Sequence, residues 1–117
     1  MANIFTKIPF SASTHYRGVK VVATATAGTT IHTAQPSASL NDEVYLWIFN
    51  YHTADVTLTI EFGGVSAPDD NIVVVVPFSE GLVLVVPGLV LRNSLVMKAF
   101  ASVANVLVAF GHVIRES

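Results

Sequence analysis

Turn-forming residues interrupt this chain so often that no segment longer than ten residues keeps a helical period. Ala27-Gly28, Gln35 to Asn41, Asn50 to Asp55, Gly63-Gly64, Pro68 to Asp70, Pro77, Pro87-Gly88 and Arg92 to Ser94 all punctuate it, at spacings of roughly 8–12 residues. Between them lie short runs rich in Val, Ile, Thr and aromatic residues: Gly18 to Thr26, Thr29 to Ala34, Glu43 to Asn50, Val56 to Phe62, Ile72 to Val76, Gly81 to Val86, Leu89 to Leu91, Leu95 to Ala101 and Val106 to Ile114. Val103 to Phe110 also fits a helix, but Val106, Val108 and Phe110 alternating with Leu107 and Ala109 suit a buried strand better. The rhythm predicts an all-β fold, a two-sheet β-sandwich of jelly-roll or similar Greek-key type with about eight strands.

Two runs carry most of the pattern. Glu43 to Asn50 is apolar on both faces, with Val44, Leu46 and Ile48 on one and Tyr45, Trp47 and Phe49 on the other. Such a strand lies at the centre of a sandwich, or turns one face to a partner. Tyr45, Trp47 and Phe49 are therefore predicted in the core or at a subunit interface; an aromatic row stacking on sugar rings is the alternative. Val56 to Phe62 alternates cleanly, which points Val56, Leu58, Ile60 and Phe62 inward and Thr57, Thr59 and Glu61 outward. The short link Asn50 to Asp55 predicts that these two strands form a hairpin.

Residues 1–17 show neither period and are predicted as an extended N-terminal arm before a sandwich domain at 18–117. The arm packs on its own domain, or reaches a neighbouring subunit with Ile4, Phe5, Ile8 and Phe10 as the anchors, or is disordered, the first being preferred. Composition favours association of the domain with copies of itself or with a larger assembly. Hydrophobic residues make up 52% of the chain and charged ones only 12%, against a quarter in ordinary soluble domains. A domain of 117 residues leaves about a third of its chain surface uncovered, so apolar side chains must occupy much of the exterior, and association hides them. The six basic residues (Lys7, Arg17, Lys20, Arg92, Lys98, Arg115) are scattered and the net charge is −2, which argues against a nucleic-acid partner. The N-terminus, with Lys7 in its middle, lacks an apolar run of signal-peptide length. The most apolar stretch, Gly81 to Leu91, contains Pro87 and falls short of the roughly 18 residues a membrane helix needs; no membrane association is expected.

Chemistry-bearing patterns are sparse. There is no cysteine, and His15, His32, His52 and His112 have no metal-ligand spacing; each is expected to be an ordinary surface or interface side chain. Asp69-Asp70-Asn71 reads as a solvated turn, with calcium binding as the alternative. No serine sits in a nucleophile elbow and no glycine loop is shaped to hold phosphate. Most of the eight acids fall in turns. No catalytic, metal or cofactor site is expected.

The segments DEVYLWIFN, ADVTLTIEFGG, APDDNI, GLVLVVPGLVL and VLVAFGHVIR together resemble small structural proteins of tailed-bacteriophage particles, encoded beside the major capsid protein. The resemblance spans residues 28–115. It implies a β-sandwich decoration (cement) protein, commonly a homotrimer seated where capsomers meet. Its partner is then the major capsid protein, its location the virion surface after assembly in the bacterial cytoplasm, and it has neither enzyme activity nor cofactor. A head–tail connector, tail or fibre component is the nearest alternative, and a carbohydrate-binding module relying on Trp47 is a third.

Overall fold

The alternating runs fold as nine strands: β1 (Phe5–Ile8), β2 (Val19–Lys20), β3 (Thr29–Thr33), β4 (Asp42–Asn50), β5 (Val56–Phe62), β6 (Asn71–Val76), β7 (Leu82–Leu91), β8 (Val96–Ala101) and β9 (Leu107–Glu116). The structure, a computed structural model, describes residues 3–117. One sheet has the order β1-β9-β4-β7, with β2 also joined to β9; the other has the order β3-β8-β5-β6. Every pairing is antiparallel. The two sheets face each other as a β-sandwich, and no helix occurs among the described residues.

β4 organises the first sheet. Its residues alternate without a break between buried and half-buried, as a two-residue period requires when one face meets a core. Val44, Leu46 and Ile48 are fully buried and belong to one cluster with Val56, Leu58 and Ile60 of β5. β9 flanks β4 along its whole length, from Asp42 opposite Arg115 to Asn50 opposite Leu107. β7 occupies the other flank.

With both flanks taken, β4 has no edge to offer β5, and the predicted hairpin does not form. β5 lies in the opposite sheet, paired with β6 and β8, and Asn50 to Asp55 is a crossing between sheets. The Asn50 side chain holds that crossing: its amide donates to the Ala54 and Val76 carbonyls, and its oxygen accepts from the His52 amide. From β2 onward only β5 and β6 are sequence neighbours in one sheet.

Three further expectations are corrected. Gly18 to Thr26 keeps strand pairing only at Val19–Lys20; beyond it the chain lifts across the second sheet. There it covers Glu61, whose carboxylate accepts from the Thr26 hydroxyl and the Gly28 amide. Glu61 thus faces away from the core but is buried, not solvated. Gly81 to Val86 and Leu89 to Leu91 form one strand, because the register absorbs Gly88 as a bulge opposite Tyr45. Pro87 fits there since β7 is an edge strand with an unpaired side.

The segment predicted as an arm is part of the domain. β1 pairs with the end of β9, Phe5 opposite Glu116 and Ile8 opposite Val113, and Ile4 exchanges backbone hydrogen bonds with Ser117. Phe10 lies in the core at 1% exposure. Met1 and Ala2, the first residues of the predicted arm, lie outside the described residues. Phe10 needs room, and Gly111 supplies it. A Cβ at Gly111 would sit 2.0 Å from the Tyr45 carbonyl oxygen and 3.1 Å from the Phe10 ring, at a φ of +149°. Gly81 also has a positive φ, but nothing lies within 4 Å of its missing side chain. Gly81→Ala is expected to cost about 1–2 kcal/mol from backbone conformation alone. Gly111→Ala is expected to cost more than about 3 kcal/mol, since strand separation and core packing must both yield. Urea unfolding of the two variants beside the parent chain measures both.

Candidate functional site

Two features stand out, and both are consequences of β4. The first is the outer face of its sheet. Side chains opposite one another in the register share a face, so Tyr45 lies beside His112 and Pro87, Trp47 beside Phe110 and Leu84, and Phe49 beside Val108 and Leu82. Leu82 and Leu84 are at least half exposed. The rings of Tyr45, Trp47 and His112 form a cluster with centroids 5.2–6.5 Å apart. Charge on this face sits at its ends, Lys7, Glu43 and Glu116 at one and Lys20 beside Val108 at the other, and at its N-terminal margin, where Arg17 lines a hollow with Val108 and Phe110. Burial first, and Lys7 second, hold His112 below the ordinary histidine value, so its imidazole adds no charge to the middle at neutral pH. Among the described residues, the two central rows present rings and aliphatic groups without a formal charge.

Tyr45, Trp47 and Phe49 are therefore not core residues; they are half-buried on the outside of the sandwich. Of the four predicted anchors, Ile4 and Phe5 are exposed at 65% each. Ile8 packs partly against the core and Phe10 lies within it, so Phe10 is not free to fill a neighbour's pocket. The sequence predictions thus converge on one face only in part: Phe5, Tyr45, Trp47 and Phe49 all lie on it.

The second feature is a buried polar cluster between the two sheets, which the sequence reading missed. Asp42 is fully buried. Its carboxylate accepts two hydrogen bonds from Arg115, Nε at 2.9 Å and Nη2 at 2.7 Å, in the paired geometry that suits a guanidinium. It also accepts from His32 Nε2 at 2.8 Å and from the Gln35 backbone and side-chain amides at 3.2 Å. His32 is buried as well, contrary to its expected surface position. Its Nδ1 accepts the Ser11 amide at 3.0 Å, which assigns the ring proton to Nε2 and the neutral form to the ring.

The geometry suits holding more than proton transfer. Both imidazole nitrogens are engaged, one by a backbone amide and one by a carboxylate, so the pair has no free basic nitrogen of the kind a hydrolytic triad uses. Burial would raise the Asp42 carboxyl, but hydrogen bonds from Arg115 and His32 outweigh it and hold it below the usual carboxylate value. Burial pushes His32 down, and the nearby Asp42 only partly offsets that. No group of three or more potential metal-ligating side chains occurs among the described residues. Asp70 serves its own loop, accepting from the Ser66 amide.

Compared with known proteins, the chain matches no family model, no curated protein and no solved structure.

The cluster makes folding acid-sensitive, and the sign follows from both groups. Unfolded His32 binds its proton near the ordinary value of 6.5, folded His32 only at lower pH. The stability tied to a neutral ring is complete above that value and is lost as pH falls toward the folded value. Asp42 adds a second loss below its ordinary 3.8. Urea midpoints are expected to fall on acidification from the first window onward. Asp42→Ala strands Arg115, His32 and Gln35 without an acceptor, and is expected to cost about 3 kcal/mol or more at neutral pH in the same assay.

Proposed function

We propose that this chain is a structural subunit that acts by surface association, as a decoration (cement) protein of a bacteriophage capsid. The observation that carries the reading is the outer face of the five-stranded sheet, whose middle presents Trp47, Phe110, Leu84, Tyr45 and Pro87, with charge at its ends and at Arg17 on its margin. Three strands of nine or ten residues at about 4.8 Å spacing and about 30 Å length, with the short β1 and β2 beside them, give that face a footprint on the order of 500 Å², approaching the ~800 Å² that each partner of a stable interface buries. The strand order, β1-β9-β4-β7 facing β3-β8-β5-β6, supports a jelly-roll reading. Sugar-binding sites combine aromatic rings with free amides and carboxylates; here the neighbouring carboxylate, Glu43, already accepts from the Tyr45 hydroxyl at 2.7 Å, which favours a protein partner.

On this proposal the chain forms a homotrimer by burying the apolar face, and the trimer binds the major capsid protein on the virion surface. Contacts made only in the assembled shell stabilise it by mass action. Neither a nucleic acid nor a membrane is part of the mechanism.

Light scattering of the purified chain at micromolar concentration is expected to give a trimer. Leu84→Lys places a charge on the face at a half-exposed site, and is expected to give a folded monomer whose unfolding midpoint no longer depends on protein concentration. A monodisperse parent monomer would sink the self-association. Electron cryo-microscopy of particles then separates the placements: hundreds of copies on the shell support decoration, whereas a dozen or fewer would assign the chain to the neck or tail.

A further inference from the structure

We propose that His32, Asp42 and Arg115 form an acid-released latch that fastens the N-terminal segment, residues 3–17, to the sandwich. The proposal stands on the cluster's geometry and holds whether or not the outer face takes a partner.

His32 touches the rest of the fold on two sides. Through Nε2 it is tied to Asp42, and through Asp42 to Arg115 at the end of β9. Through Nδ1 it holds the Ser11 amide. Around that bond the Ser11 hydroxyl accepts from the Thr33 amide and the Ala12 amide donates to the Ile31 carbonyl. The Phe10 ring lies 6.1 Å from the imidazole. The chain from Phe10 to Ala12 is thus sewn to β3 at the point where it leaves β1.

Protonation reverses one of the two contacts. An imidazolium donates from both nitrogens and accepts from neither, so its new Nδ1 proton would face the Ser11 amide proton inside the protein. The charge is only partly offset in place, because Asp42 is already paired with Arg115, and the Arg115 guanidinium opposes a second cation. Asp42 on β4 and Arg115 on β9 are the charged groups that act on the ring. The other elements packed around it, Phe10 to Ala12 and Ala34 to Asn41, contain no charged residue. Lys98 of the adjacent β8 lies between two buried neighbours and so belongs to the outer face of its sheet. Glu116 is occupied by the Asn41 amide and the Asn3 side chain.

The remaining hold on the segment is the Phe10 ring in the core, the bonds of the Ser11 hydroxyl and the Ala12 amide to β3, and the pairing of β1 with β9. β1 contributes four residues at a sheet edge, three of them exposed, and a strand that short contributes little by itself. Once Ser11 is released and Phe10 withdraws from beside Gly111, β1 separates from β9. Separation exposes the end of β9, whose backbone groups can pair with an added strand, and leaves a free segment bearing Ile4, Phe5, Ile8 and Phe10.

Hydrogen exchange of the full chain, followed by residue and corrected for intrinsic rate, tests this between about pH 7.5 and about pH 5. Amides from Phe5 to Ala12 are expected to lose protection roughly tenfold or more across that range, and to stay well below β4 and β5, whose amides follow the global stability. His32→Gln offers an acceptor to Ser11 and a donor to Asp42 without titrating, and is expected to abolish the pH dependence. NMR titration of the parent chain supplies the second measurement: the His32 ring and the Ser11 amide are expected to share one inflection. Retained protection of the segment at the lower pH, exchange of the segment at the same free energy as β4 and β5, or an unchanged response in His32→Gln would each overturn the latch. None of these outcomes depends on the oligomeric state, so the latch and the assembly reading fail separately.

Discussion

A β-strand sends successive side chains to opposite sides, so β4 cannot choose the surroundings of its residues one at a time. Burying Val44, Leu46 and Ile48 commits Asp42 and Asn50 to the same interior side. It also commits Glu43, Tyr45, Trp47 and Phe49 to the outside. Each notable feature of the molecule answers one of those commitments. The carboxylate carried inward must be neutralised, and the aromatic row carried outward must be shielded or left against water.

The inward commitment is the costlier one per group. An unpaired carboxylate in an apolar interior is too unfavourable to persist ionised, so a fold with Asp42 inside has to bring a cation to it. Antiparallel pairing does this with little freedom: the register that sets Val44 opposite Val113 also sets Asp42 opposite Arg115. The guanidinium remains one third exposed, which spares it part of the desolvation that a fully buried pair incurs. His32 and Gln35 then fill the remaining acceptor positions from the second sheet and the loop after it. One carboxylate thereby joins both layers of the sandwich, where apolar contact alone would leave their relative sliding less restricted.

Much of the fold was legible because it depends on period and punctuation. The strands at Thr29, Glu43, Val56, Ile72 and Val96 follow from alternation between turn residues, and two layers follow from the number of apolar faces. What stayed hidden depends on pairing across distance. The link Asn50 to Asp55 is as short as a hairpin loop, and only the presence of β9 and β7 on both flanks of β4 sends β5 into the other sheet. Phe10 read as an arm anchor because nothing local reveals that Gly111, a hundred residues later, leaves a place for its ring. Asp42 did leave a local signal. It lies two residues before Val44 in the phase of the buried face, where a polar residue demands a partner, yet the apolar run that marks the strand begins only at Glu43 and leaves Asp42 just outside it. The partners Arg115 and His32 carried no comparable mark.

The outward commitment leads to a different solution, because exposed rings cost less than a buried unpaired charge and need no specific partner inside the chain. Tyr45, Trp47 and His112 cover part of one another, and the stems of Lys7 and Glu43 border them at one end. That shielding is partial, as the half-exposed Leu82 and Leu84 attest. The edges of the same sheet are treated unequally. β7 carries a proline and a bulge, which discourage continuous pairing along its free side. The β9 flank has no such device and is covered by β1 and β2 from its own N-terminal region. Protection of that flank is therefore conditional on the segment staying attached, and one of the bonds that keep it attached is accepted by a histidine already turned toward the interior carboxylate. The inward phase of Asp42 and the closure of the sheet's far edge are in this way linked through one neutral imidazole.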